Sequence, residues 1–346
     1  MTKNILIISR CITDNLGDQA ISKAMLSLAE ELTSATVYAV DLTTEEHSNS
    51  QMYRFKHRLY KLISRVGGRD AAWRMENRGL FKILESVTFD LVLIGGGELV
   101  QSNSIFPLAL DTWTQKIRNK QPHSAIYLFG VGVTSKFSQA DREHIEKMLK
   151  RVNGVVVRDT ASKDNLQSLY GINSTVIPDV VYSMQMQADD NNNEVRKGVL
   201  YGLTNWERIE KYGIYAESHE AYYQKTLAII SECVGEWELF YTTRNDYKEC
   251  LRFREFASDH HVNIGISKYT DINSLIKLLK GKEKVYSPRM HGCIIADLCG
   301  CEVEPILISP KMESYKTTYK KPLDFDGMRT RIIDEMERIF KSNNII

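Results

Sequence analysis

The chain has 346 residues, enough for two domains of ordinary size. Its 45 Lys and Arg against 44 Asp and Glu leave a formal net charge of +1, which excludes the basic excess of a nucleic-acid-binding protein. No apolar run approaches the ~20 residues of a membrane span, and the N-terminus, one lysine and then a strand pattern, does not read as a signal peptide.

Cys11, Cys233, Cys250, Cys293, Cys299 and Cys301 lack any CxxC spacing. They read as reduced, mostly buried thiols, and the Cys299-Gly300-Cys301 pair is too isolated for a zinc site. No metal is expected, and the expected setting is the cytoplasm.

Asn4-Ile5-Leu6-Ile7-Ile8-Ser9 is a continuous apolar run, the pattern of a strand buried on both faces in a parallel sheet. A turn, Thr13-Asp14-Asn15-Leu16-Gly17-Asp18, precedes a helical pattern over 19–32, and Val37-Tyr38-Ala39-Val40 is the next strand. This βαβ order puts Asn15, Gly17 and Asp18 at the carboxyl end of a strand, the edge where open α/β sheets bind ligands. The turn lacks GxGxxG, so a dinucleotide is not indicated, and Asn15 and Asp18 could equally shape the turn and cap the helix.

Residues 53–82 are basic, with Leu59, Leu62, Ile63 and Val66 at helical spacing. Such a helix is a candidate for peripheral contact with anionic lipid, although a solvated charged face is the simpler reading. Phe89–Ile94 reads as a central strand ending in Gly95-Gly96-Gly97-Glu98, where bare backbone would admit a substrate and Glu98 would sit beside it. A helix over 106–119 and a strand over 125–129 follow, then Gly130-Val131-Gly132. After a helix over 138–151, the strand 154–157 leads into Arg158-Asp159, with Ser162 opening another helix.

Residues 184–197 are polar and read as a linker between a domain over 1–183 and a second α/β series over 198–325. The series is expected as strand 198–203, helix 217–235, strand 238–242, helices 246–259 and 271–280, and strand 284–286. A strand over 305–308 follows, with Lys311 at its end, and 326–346 carries a terminal amphipathic helix. Within the series, Val285-Tyr286-Ser287-Pro288-Arg289-Met290-His291-Gly292 reads as a strand end, a tight turn and a helix start. The unpaired amides of a helix start favour an anion, and Arg289 offers a planar fork for carboxylate or phosphate. His291 can exchange a proton near neutrality, and Gly292 would let a ligand come close. Otherwise Arg289 caps a carbonyl and His291 is a satisfied core histidine.

Six pieces in one order resemble the polysaccharide pyruvyltransferase family: Asn15-Leu16-Gly17-Asp18, Leu93–Glu98, Gly130-Val131-Gly132, Val157-Arg158-Asp159 with Ser162, Pro178-Asp179, and Arg289-Met290-His291. They span roughly 4–311. Arg-Met-His stands where Arg-Leu-His is commoner, and Glu98 where many relatives carry glycine or a small residue. The resemblance implies an α/β fold of two Rossmann-like domains facing a cleft (GT-B-like), with mostly parallel sheets. It also implies pyruvyl transfer from phosphoenolpyruvate, a co-substrate needing no other cofactor. The acceptor would be a sugar of a bacterial exopolysaccharide, capsule or cell-wall glycan intermediate, lipid-linked and met at the inner face of the cell membrane. Arg158, Arg289 and His291 carry over as donor-site residues, with acceptor binding on the first domain and the donor on the second.

On chemistry, His291 is the general-acid candidate and Asp18 or Glu98 the base. Asn15, Gly17, Gly95, Gly96, Gly97, Gly292 and Lys311 complete the candidate substrate contacts. The competing readings are a GT-B nucleotide-sugar glycosyltransferase and a non-catalytic phospho-ligand-binding protein. The sequence sets no oligomeric state. A guanidinium at 289 already neutralised by a carboxylate would count against the donor-site assignment.

Overall fold

The computed structural model describes residues 2–44, 68–103, 105–186, 196–232, 236–319 and 321–346. They form two compact units. The first comprises Met1–Ile12, Ile21–Met184 and Asp326–Ile346; the second comprises Thr13–Ala20 and Gln185–Phe325.

The first unit is built on a parallel sheet of β1 (Asn4–Ser9), β2 (Thr36–Asp41), β3 (Leu91–Val100), β4 (Ala125–Val133), β5 (Gly154–Val157) and β6 (Thr175–Val176), in the order β2-β1-β3-β4-β5-β6. Ile5 to Ile8 and Leu91 to Ile94 are all fully buried, as the continuous apolar runs require of strands covered on both faces. Helices Phe106–Lys120, Gln139–Leu149 and Thr160–Tyr170 return the chain between strands. The last two open on side-chain caps, Ser138 Oγ accepting from Asp141 N at 3.2 Å and Asp159 Oδ1 from Ser162 N at 2.7 Å. The terminal helix Phe325–Ser342 buries Ile332, Met336, Ile339 and Phe340 in this unit, and Arg329 pairs with Glu31 at 2.7 Å.

The second unit has β7 (Val199–Gly202), β8 (Trp237–Phe240), β9 (Gly265–Ile266), β10 (Lys284–Ser287) and β11 (Glu302–Pro305), all parallel, in the order β11-β10-β7-β8-β9. Chain direction across the sheet reverses between β7 and β10, so the carboxyl ends of those strands form a switch point. Arg289 lies in the short turn after β10, and His291 in the first turn of the helix that follows.

Several expectations need correction. The first helix spans Leu16–Leu32, so Leu16, Gly17 and Asp18 belong to its first turn rather than to a preceding loop. The helix expected over 246–259 starts at Arg244, because Thr243 caps it by accepting from Asp246 N at 3.2 Å. The strand expected over 305–308 is β11, three residues earlier. It alternates exposed Glu302 and Glu304 around Val303, which is 5% exposed, the pattern of a half-solvated edge strand.

Helices Gly68–Glu76, Trp206–Tyr212 and Pro310–Thr318 were absent from the sequence reading. Of the basic segment 53–82, residues 53–67 lie outside the described residues. In the remainder Trp73 and Phe81 are buried, and Phe81 meets Trp113 edge-on at 4.6 Å. Most of the expected linker, 187–195, also lies outside the described residues. Among the described residues no helix is long and apolar enough to cross a membrane.

Candidate active site

His291 is the second residue of the helix Met290–Leu298, which Arg289 precedes in an extended conformation. The helix is almost wholly buried, and His291 is 9% exposed. Its imidazole lies against the first turn of the helix Leu16–Leu32. A Cβ built on Gly17 would sit 2.6 Å from His291 Nδ1 and 2.8 Å from His291 Cβ, so only a glycine fits there without displacing the ring. Asn15 Oδ1 accepts from Gly17 N at 3.0 Å, and Leu16 N donates to Thr242 O at 2.9 Å. Arg244 N donates to Asp14 Oδ2 at 3.2 Å. Two helix starts, each with amides lacking helical partners, are thereby pinned to the end of β8. Asn15, Gly17 and Asp18 thus share a unit with Arg289, His291, Gly292 and Lys311. Asp18 and Lys311 are both half-buried.

Arg289 does not carry the uncompensated charge expected of it. Its Nε and Nη2 donate to Asp246 Oδ2 and Oδ1 at 3.1 and 2.5 Å, and Asp246 is fully buried. Thr204 and Thr242 hydroxyls donate to the same carboxylate at 3.1 and 3.4 Å. A guanidinium already neutralised by a buried carboxylate counts against Arg289 as a simple charge clamp. What remains is orientation. The carboxylate holds one edge of the fork, while Nη1 makes no hydrogen bond among the described residues. Sequence reading missed Asp246. The signal was the Thr243-Arg244-Asn245-Asp246 spacing after a strand, which marks a helix N-terminus and puts Asp246 one turn in.

Gly292 is also reassigned. The space its Cβ would take is occupied by Ser287 Oγ at 2.4 Å from that position, and this hydroxyl accepts from Arg289 N at 3.2 Å and donates to Arg289 O at 3.1 Å. The missing side chain serves the turn.

The remaining candidates lie in the first unit. Arg158 is 3% exposed, with Nη1 3.4 Å from Asp179 Oδ2 and Nε 3.5 Å from Asp159 Oδ2. A Cβ on Gly132 would lie 2.8 Å from its Nη2, so that glycine makes room for the guanidinium. Asp179 and Asp159 compensate its charge inside the unit. Gly95, Gly96 and Gly97 lie inside β3 rather than in a loop beyond it. A Cβ on Gly95 would stand 2.0 Å from Phe129 O, and one on Gly96, whose φ is +73°, 1.8 Å from Ile21 Cγ2. The chain's own backbone and a core isoleucine therefore use the close approach that was expected to serve a substrate. Glu98, half-buried in β3, accepts from Gln101 Nε2 at its carbonyl at 2.6 Å. Among the described residues no group of three His, Cys, Asp or Glu is placed to hold a metal ion.

Comparison with known proteins gives both a family and a fold. The profile of the polysaccharide pyruvyl transferase family matches residues 15–308. No curated protein matches the chain. Among solved structures, UDP-GlcNAc 2-epimerase from Neisseria meningitidis bound to UDP-GlcNAc superposes with a TM-score of 0.56 at 12% identity, covering 99% of this chain and 100% of that one. Anabaena Alr3699/HepE in complex with UDP-glucose gives 0.53 at 9% identity, over 97% and 99% of the two chains. A glycosyltransferase from Rickettsia africae gives 0.51 at 11%, over 99% and 98%. At such identities these likenesses show the fold alone, which is GT-B-like.

Proposed function

The chain belongs to the polysaccharide pyruvyl transferase family, and from that premise we propose that it moves the pyruvyl group of phosphoenolpyruvate onto two hydroxyls of a glycan, releasing phosphate and forming a cyclic ketal. The observation that carries the reading is His291, buried at a helix start and seated on Gly17 of the Asn15–Asp18 turn. The motif residues 15–18 and 289–291, separated by some 270 positions of chain, meet there around a proton-exchanging side chain.

Ketal formation adds a proton to C3 of the enol, develops positive charge at C2, and exchanges the C2–O bond to phosphate for two bonds to sugar oxygens. Of the two hydroxyl protons, one ends on C3 and the other leaves with phosphate. His291 delivers the proton to C3. Asp18, in the same unit and one residue beyond Gly17, accepts a hydroxyl proton. The amides opening the helix Met290–Leu298 and the Nη1 edge of Arg289 supply donors to the departing phosphate or the carboxylate. Asp246 positions that edge. Lys311, in the first turn of the helix Pro310–Thr318, adds a further cation. The acceptor is a glycan intermediate, lipid-linked at the inner face of the membrane.

The test is incubation with phosphoenolpyruvate and a panel of glycans, followed by mass spectrometry and phosphate assay. A ketal adds pyruvate less water for each phosphate released. Transfer of a hexose from a nucleotide sugar instead would replace this reading with the glycosyltransferase one. Binding of phosphoenolpyruvate without release of phosphate would leave a ligand-binding protein.

A further inference from the structure

A second feature of the second unit lies outside the site just described. A cavity of about 500 Å³ opens at the carboxyl ends of β8 and β9, within the range of ligand pockets. Tyr241, Tyr247 and Tyr269 wall it, and Arg254 and Lys268 stand on its rim. Tyr241 directly follows β8, Lys268 and Tyr269 follow β9, and Tyr247 and Arg254 stand two turns apart on the helix Arg244–Asp259. This is the edge at which parallel sheets present ligands.

The aromatic wall is rigid. Tyr241 and Tyr269 stack with centroids 4.6 Å apart and planes 23° from parallel, and Tyr241 meets Tyr247 at 4.8 Å. The Tyr269 hydroxyl accepts from Tyr241 N at 2.7 Å and donates to Tyr241 O, so its ring is fixed to the neighbouring backbone. Tyr247 remains 37% exposed, which leaves ring surface open to the cavity side. Fixed tyrosine faces suit the C–H face of a pyranose, since such rings offer large area with little rotamer entropy to lose.

The cations give the wall its specificity. Arg254 and Lys268 have neither an ion pair nor a hydrogen bond among the described residues, unlike Arg289 and Arg158. The nearby carboxylates are already committed. Glu238 accepts from Ser267 Oγ at 2.5 Å and pairs with Lys282 at 3.4 Å. Asp271 accepts from Ser274 N at 2.9 Å at its own helix start.

We propose that this pocket binds an anionic sugar residue, one bearing a phosphate or a carboxylate, with its ring on Tyr247 and its charge between Arg254 and Lys268. Resting on the reading above, it is a subsite for the acceptor glycan. The segment from Tyr241 to Tyr247 joins the two places. Thr242 O receives Leu16 N and Asp246 holds Arg289, while Tyr241 and Tyr247 face the cavity. The acceptor, expected on the first domain, then has at least one residue on the second.

Ligand-observed saturation-transfer NMR on the full chain, without phosphoenolpyruvate, tests this with glucose 1-phosphate, glucuronic acid, glucose and inorganic phosphate. The expected result is binding of both anionic sugars, with glucose and phosphate each at least about tenfold weaker. The double substitution of Arg254→Gln with Lys268→Gln abolishes the preference for charge, and Tyr247→Ala weakens all three sugars. A preference for only one anionic sugar keeps the site and names its anion. Equal affinity for glucose and the charged sugars, no transfer to any of them, or values unmoved by these exposed-residue variants overturns the proposal. Because sugar binding is read without the donor, its failure is distinct from failure of pyruvyl transfer, which the product mass reports separately.

Discussion

At the scale of single residues, the site turns on contacts that one atom can undo. Gly17→Ala puts a methyl 2.6 Å from His291 Nδ1, and the ring must move. Displacement of a reacting group by about 1 Å costs on the order of 10²-fold in rate, so this variant should lose turnover on that scale, with a lower unfolding midpoint because His291 Cβ, 2.8 Å away, cannot swing aside. His291→Ala, which removes the proposed acid, should lose ~10²–10⁴-fold in kcat while still binding phosphoenolpyruvate. Phosphate release at saturating glycan measures both. Wild-type turnover in either variant would remove His291 from the chemistry.

The pair of Arg289 and Asp246 behaves differently. Asp246 is fully buried and the Arg289 side chain is 17% exposed, so deleting one partner strands a buried charge. Arg289→Ala should cost about 3–5 kcal/mol in urea unfolding, and an apolar replacement of both residues should recover much of that. Equal losses in the single and double variants would show that the pair is not the source. Sequence alone reached Arg289 and His291 through their types and the strand-to-helix pattern around them. The Thr243–Asp246 spacing marks Asp246, 43 positions earlier, as part of a helix start, but nothing local distinguishes a carboxylate that stays on its own helix from one that crosses to a neighbouring loop.

At the scale of elements, helices and strands with unbroken apolar patterns were legible almost residue by residue, as with the helix Phe106–Lys120 and the strand β1. Boundaries were not. Leu16–Asp18 looked like a loop because Asn, Gly and Asp favour turns, yet Asn15 bridging to Gly17 N lets the helix begin there. Gly95 and Gly96 of β3 looked like a ligand ledge because proximity to Phe129 and Ile21 is invisible in one chain's order.

The helix Met290–Leu298 offers a pH test. Asp297 lies in its last turn, where the dipole disfavours a carboxylate, and it is 4% exposed. Burial raises its pKa above the ordinary carboxylate range, only partly offset by the Tyr315 hydroxyl and Lys321. A raised folded-state pKa means the folded chain holds this proton more tightly. The associated stability is fully present below the unfolded value and is lost as pH rises through the folded one. Asp297→Asn removes that dependence, so the stability of wild type relative to the variant should fall as pH climbs from about 4 towards neutrality. Urea unfolding of both proteins across that window measures it, and a difference that grew with pH would reverse the assignment.

The buried thiols give a second check on the same unit. Burial pushes Cys293 and Cys250 well up and Cys301 to about 11. All three should resist iodoacetamide at pH 8 in the native protein and react in denaturant, as read by peptide mapping.

At the scale of the whole molecule, the chain folds into two parallel sheets of β2-β1-β3-β4-β5-β6 and β11-β10-β7-β8-β9 order, whose carboxyl edges are where such sheets bind ligands. That architecture was legible in advance, since alternating apolar strands and amphipathic helices allow few other solutions. It is shared at 12% identity or less with proteins crystallised with UDP-GlcNAc or UDP-glucose, so the fold does not choose the donor. The proposed donor rests on the family and on the residues at 15–18 and 289–291.

The most direct measurement is the mass of a glycan incubated with the protein and phosphoenolpyruvate labelled with ¹³C in the pyruvyl carbons. The account predicts a product heavier by labelled pyruvate less water, one phosphate freed for each, and loss of both signals in His291→Ala. Phosphoenolpyruvate recovered intact across the glycan panel, or a product carrying a hexose instead of the label, would contradict it.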